Sequence, residues 1–264
     1  MGLDRLFFSH RLPRQYLHVG GTGVDVYRVE NHRSRKVQAL PVLSFSDVDT
    51  GEFADWCAGL DREDSGVILN AGYFIYNIFS FQKLPLRQRS RDELILWRLK
   101  KRFPEDLEQY THTYFPMGRG RVFSVLMRRD LRDRIVELFA GAGRPLIFLG
   151  NSTVGIMNRL FRGASPPDMF VEYDAGQVTC CFQRDSVPFY IRKFRVNGGG
   201  DLAAELGKTF DFVAQNHGFS VHSSARVFND GSGVAGALEA MLKQREIRER
   251  PVTSYADLIL PDIR

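Results

Sequence analysis

The chain has 264 residues, 44% hydrophobic and 25% charged, enough for one large core or two modest ones, and this excludes a disordered or low-complexity protein. Thirty-six basic residues against 31 acidic ones leave a dispersed net charge of +5, which argues against a dedicated nucleic-acid binder. Cys57, Cys180 and Cys181 have no metal spacing, "MGLDRLFFSHRLPRQ" lacks a signal-peptide apolar region, and no apolar run nears the ~20 residues of a bilayer span, so reduced thiols and a cytoplasmic address are expected.

In chain order, apolar periodicity predicts strands at Tyr16–Val19, Val24–Val29 and Val37–Ser44, a helix at Glu52–Leu60 and a strand at Val67–Leu69. The capping-box spacing of Ser90 and Glu93 opens a helix whose apolar stripe is Ile95, Leu99 and Phe103, with Lys100, Lys101 and Arg102 at the dipole's negative end and Pro104 as the stop. A strand at Val122–Met127, a helix at Leu131–Ala140 and a strand at Leu146–Leu149 complete an α-β-α-β unit. Then come strands Met169–Tyr173, Val178–Phe182 and Val187–Phe194, helix Asp201–Gln215, strand Ala225–Phe228 and helix Val234–Lys243.

The outer parts thus share one order: hairpin, third strand, helix, strand. Laying "LHVGGTGVDVY" over "VEYDAGQVTCCF" sets Gly20 above Gly176 and His18 above Asp174, an internal duplication of architecture around an inserted unit. Glycine-bearing segments recur at 20–23, 174–176, 198–200 and 229–233, and backbone amides in such turns or at helix starts can hold an anion.

Other features have plainer readings. Six scattered histidines show no zinc spacing, and His222, Ser223 and Ser224 read as a loop before a strand. Trp97 and Phe103 read as helix packing. The basic run Arg87, Arg89, Arg91, Arg98, Lys100, Lys101 and Arg102 could meet nucleic acid or anionic lipid, but reads first as a solvated helix face.

The loops in this order, together with "VILNAGYFIYNIFSFQKLPLRQRSRDELILWRLKKRFPEDLEQYTHTYF" and "VFSVLMRRDLRDRIVELFAGAGRPLIFLGNSTVGIMNRL", resemble the actin-like ATPase superfamily, and within it the PilM-type pilus assembly proteins and the cytoplasmic parts of GspL and MshI. The resemblance implies an α/β, actin-like (ribonuclease H-like) fold with duplicated βββαβ(α) halves. Residues 1–84 would be the first half, 85–165 the inserted subdomain and 166–264 the second half, with the capping subdomain reduced or absent.

The family's first phosphate loop reads Asp-x-Gly-Ser-Ser-x-x-Lys. Gly20, Gly21 and Thr22 would belong to it here, with His18 in the aspartate's place and Asp25 in the lysine's. Asp174, Gly176 and Gln177 would form the second loop, and Asp230, Gly231 and Gly233 the adenosine side. A neutral histidine is a poor ligand for magnesium, and a carboxylate in the lysine's place repels polyphosphate by a few kcal/mol at ~4 Å for an effective dielectric of about 20. The resemblance therefore implies a vestigial nucleotide site with no catalytic residue and no metal.

What it implies functionally is a scaffold at the inner face of the inner membrane, in a type IV pilus or type II secretion-like platform. Its expected partner is the N-terminal cytoplasmic tail of a PilN-type membrane protein, with no nucleic acid and only peripheral membrane contact. Phe79, Phe81, Leu84, Leu86, Leu94 and Trp97 are the residues expected to line the tail's groove. The alternative is an active ATP-binding or ATPase switch of the same fold, using ATP with magnesium.

Overall fold

The computed structural model describes residues 13–30, 33–41, 43–103, 106–161, 163, 165–229, 234–250 and 255–260. The first part comprises β1 (Gln15–Val19), β2 (Val24–Glu30), β3 (Arg33–Leu40), α1 (Thr50–Cys57) and β4 (Ser65–Leu69). There follow β5 (Phe74–Ser80), α2 (Gln88–Arg102), β6 (Tyr110–Gly118), β7 (Arg121–Arg128), α3 (Arg129–Gly141), β8 (Leu146–Asn151) and α4 (Ser152–Phe161). The last part holds β9 (Met169–Asp174), β10 (Gln177–Arg184), β11 (Val187–Arg195), α5 (Gly199–His217), β12 (Ser223–Phe228), α6 (Ala235–Gln244), β13 (Arg248–Arg250) and α7 (Tyr255–Ile259).

Two five-stranded sheets have the same plan. One runs β3-β2-β1-β4-β8 and the other β11-β10-β9-β12-β13. In each, three strands meander antiparallel and the last two join in parallel to the first strand. Strands β1, β4 and β9 are buried along their whole length, as expected where helices cover both faces of a sheet. At α1, Asp49 accepts the Glu52 amide at 2.9 Å while Glu52 reaches back to the Asp49 amide, a capping box the sequence reading did not name.

Between the halves lies a three-stranded sheet, β5-β7-β6. Its two faces carry different helices. Val122 and Leu126 of β7, with Phe79 of β5, pack against Ile95 and Leu99 of α2. The alternate β7 residues Phe123, Val125 and Met127 join Ile135, Leu138 and Phe139 of α3 in the core shared with the first sheet.

Several expectations change. The sequence predicts Leu146–Leu149 as the last strand of the insert, but β8 pairs in parallel with β4 and is the edge strand of the first sheet. With α3 leading into it, it matches α6 and β13 of the second half. Strands β5 and β6 were not read at all, because mixed polar and apolar residues blur their alternation. Helix α2 begins at Gln88 behind Arg87 with no side-chain cap, so Ser90 and Glu93 form no capping box. Glu93 instead pairs with Arg89 one turn back. Pro104 lies outside the described residues.

Helix α7 is the last helix among the described residues. Helix α7 packs on α4, where a Cβ on Gly155 would stand 2.6 Å from the Ile259 carbonyl oxygen. That approach carries Tyr255 back to the seam between the halves.

Candidate functional site

The two hairpin tips meet across that seam. In the first hairpin Val19 pairs with Val24, and the Gly20 amide donates to the Gly23 carbonyl at 2.9 Å. In the second, Asp174 pairs with Gln177 around Ala175 and Gly176, both at positive φ. The parallel neighbours give the same register, for the Asn70 amide donates to the Val19 carbonyl as the Asn229 amide does to that of Tyr173. Gly20 is therefore the counterpart of Asp174, and His18 that of Glu172. This corrects the sequence alignment by two residues: where the second loop has its carboxylate, the first has a glycine.

The Gly21 amide donates to both carboxylate oxygens of Asp174, at 2.8 and 2.9 Å. The Asn70 side-chain amide also donates to Asp174, while its oxygen accepts the Gly72 amide at 2.9 Å. Neither Gly20 nor Gly21 is at positive φ. What requires glycine is the opposite loop: a Cβ on Gly21 would lie 2.4 Å from that of Ala175, and one on Gly20 would lie 2.5 Å from the Asn229 side-chain nitrogen. Thr22 is exposed at the tip.

Below the tips runs a buried polar chain. Asn151 donates to the Tyr76 hydroxyl at 2.8 Å, Tyr76 to Thr153 at 3.0 Å, and Thr153 to the Glu172 carboxylate at 2.6 Å. Tyr255 donates to the other Glu172 oxygen at 2.9 Å. Burial pushes the Glu172 carboxyl above its ordinary range, with Asp174 adding to the rise and the Ser152, Thr153 and Tyr255 hydroxyls opposing it. His18 is fully buried edge-on to the Tyr255 ring, at 5.2 Å. Burial lowers its pKa to about 4, against an upward pull from Asp25, with Lys36 lowering it further, so the imidazole is neutral. Asp25 is itself paired with Lys36 at 2.6 Å.

The remaining sequence-read residues divide. Gly176 has φ +81°, and a Cβ there would meet the Val196 carbonyl at 2.7 Å. Gln177 donates its side-chain amide to the Phe194 carbonyl at 2.8 Å, so it serves the β10–β11 pair. Asp230, Gly231 and Gly233 lie outside the described residues. Ser223 and Ser224 open β12, and the amides of His222 and Ser223 donate to Asp168, both at 2.7 Å. The sequence reading missed Asn70, Thr153, Tyr255 and Glu172. Only Glu172, a charge inside an otherwise apolar strand, carried a signal.

Of the groove residues, Phe79 is buried beneath α2, Phe81 and Leu84 are half-buried around the same cluster, and Leu94 is half-buried. Leu86 and Trp97 are exposed. Helix α2 lies on the far face of the inserted sheet, so these side chains do not look toward the first half. An opening of about 620 Å³ does lie between the first half and α3, lined by Ser46, Arg128, Asp130, Leu131, Arg134 and Glu137, with Asp133 at its side. There Arg134 donates to the Val48 carbonyl at 2.6 Å and ties α3 to the first half.

Among solved structures, the chain is similar to the PilM–PilN type IV pilus biogenesis complex, with TM-score 0.70 and 15% identity over 94% of this chain and 90% of that one. It is similar to the cytoplasmic domain of EpsL, an inner membrane component of the type II secretion system of Vibrio cholerae, with TM-score 0.61 and 12% identity over 93% and 92%. A Bacteroides thetaiotaomicron protein of actin-like ATPase fold and unknown function matches with TM-score 0.59 and 10% identity over 90% of each chain. No protein-family profile and no curated protein sequence matches. The chain has the actin-like ATPase fold.

Two measurements check this seam. Gly21→Ala drives a methyl into Ala175, so denaturant unfolding should show a loss of about 1–3 kcal/mol; an unchanged midpoint would mean that the tips do not touch. His18 gives a pH signature. Its folded pKa lies below the ordinary 6.5, so the unfolded chain takes up a proton that the folded chain refuses. Stability from this group is complete above pH 6.5 and falls as pH drops toward 4, by about 3 kcal/mol at the limit. Unfolding followed across that window should show the His18→Leu variant without this fall, and parallel curves for the two proteins would refute it.

Proposed function

We propose that this chain is a cytoplasmic scaffold of a type IV pilus or type II secretion-like inner-membrane platform, binding the N-terminal cytoplasmic tail of a PilN-type membrane protein. The observation that carries the reading is the likeness to the PilM–PilN complex along 94% of the chain, with an opening between α3 and Ser46 of the first half. The tail docks in that opening, where Leu131 supplies an apolar contact and Ser46, Arg134 and Glu137 supply polar partners for an extended peptide. This replaces the α2-side groove expected from the sequence, whose apolar residues are largely spent on the insert's own packing.

The cleft between the halves is degenerate for nucleotide on this reading. The described residues do not fit a magnesium-bound triphosphate. A magnesium site wants carboxylate oxygens and kept waters, yet Asp174 is taken by the Gly21 and Asn70 amides, and its counterpart is Gly20. The amide that would face a phosphate is the one that Asp174 holds. Burial leaves His18 neutral, and Lys36 is engaged by Asp25.

Calorimetry with ATP and magnesium should give no binding heat, whereas a synthetic peptide of the N-terminal cytoplasmic tail of a PilN-type protein should bind. Leu131→Glu should weaken the peptide by about tenfold or more, as loss of a central contact does. Tight magnesium-dependent ATP binding would establish the nucleotide switch instead, and a peptide indifferent to Leu131→Glu would remove the tail from this opening.

A further inference from the structure

We propose that the outer face of α2 is a docking surface for an anionic lipid bilayer. The helix has six basic and two acidic side chains, and their placement is uneven. In its first turns the charges are answered, with Arg89 paired to Glu93 at 3.2 Å and Asp92 accepting from Gln88 at 2.7 Å and from the Tyr114 hydroxyl. In its last turns Arg98, Lys100, Lys101 and Arg102 stand together, and none has a carboxylate within ion-pair distance among the described residues. The helix dipole favours cations at that end. It does not account for the apolar groups beside them.

Those groups are large and in water. Trp97 is 49% exposed and Leu86, just before the helix, is 93% exposed. Lys101 lies one turn from Trp97 with its ammonium 4.1 Å from the ring centroid, and the Arg98 guanidinium is 6.0 Å away. Ile95 and Leu99 are meanwhile fully buried on the sheet side, so the helix has one apolar stripe satisfied and a second, mixed face left open.

Charge and shape choose the occupant. An indole ringed by cations settles at headgroup depth, where its apolar body and its polar N–H are both accommodated, while the cations meet anionic headgroups. An exposed leucine gains by entering the acyl boundary but gains nothing from a phosphodiester backbone, which disfavours nucleic acid here. No helix among the described residues is long and apolar enough to cross a membrane, so this contact is peripheral. It is separate from the opening at α3, on the other face of the inserted sheet, so either proposal can fail alone.

The full chain should float with phosphatidylglycerol-containing phosphatidylcholine vesicles at low salt, stay behind with pure phosphatidylcholine, and be released as salt rises. Lys100→Glu with Lys101→Glu should cut the vesicle-bound fraction by about tenfold, and Leu86→Ser with Trp97→Ala should weaken it with the charge unchanged. All four side chains are exposed, so unchanged thermal unfolding confirms intact folds. Flotation absent at low salt, or unaffected by the paired charge reversal, overturns the proposal. So does tighter binding to single-stranded RNA than to the anionic vesicles through the same four residues.

Discussion

The bond between the Gly21 amide and the Asp174 carboxylate is the contact on which the arrangement of the halves depends. It joins the tip of one hairpin to the tip of its counterpart, and the approach leaves no room for a side chain on Gly21, whose Cβ would stand 2.4 Å from that of Ala175. An amide in a part-buried seam needs an acceptor, and a charged acceptor makes a shorter, stronger bond than a neutral one. Asn70 orients the carboxylate from the side, and Lys193 of β11 reaches across to the carbonyls of Ala71 and Phe74. Segment 70–74, between the first sheet and the insert, is thereby held by the second half.

Below that contact the seam is polar, and its buried carboxyl is hydrogen-bonded. Glu172 sits where two hydroxyl donors converge, one from α4 and one from α7, so the carboxyl is buried with partners rather than alone. This explains why α7 returns to the first half and why Gly155 must be small. His18, at the matching place in the first hairpin, is held neutral by its burial. The duplicated positions thus carry a partnered acid in one half and an uncharged ring in the other.

The inserted sheet separates two surfaces with different chemistry. On its inner face α3 completes the first half and leaves an opening of mixed charge. On its outer face α2 buries an aliphatic stripe and presents an indole beside cations that have no carboxylate partner among the described residues. Placing α2 on the outer face follows from period-2 alternation in β7, where Val122 and Leu126 turn one way and Phe123, Val125 and Met127 the other.

Much of this was legible in the sequence, and the limits have physical causes. The repeated hairpin, strand and helix pattern, the glycine-rich tips and the apolar stripe of α2 are local, since each depends on residues within a turn or a strand of one another. Their order is part of the resemblance that implied the fold class. Register was not legible, because the two hairpins close over loops of different length, Val19 on Val24 and Asp174 on Gln177, and only the ladders to β4 and β12 decide that Gly20 rather than His18 matches Asp174. Membership of β8 in the first sheet, the burial of Phe79 and the exposure of Trp97 were likewise set by partners distant in sequence. The sequence alone determined most strands and helices of the two outer parts and that these parts share one order. The tertiary structure alone decided which loop atoms meet, because a hydrogen bond between residues 21 and 174 exists only after both sheets have formed and closed on each other.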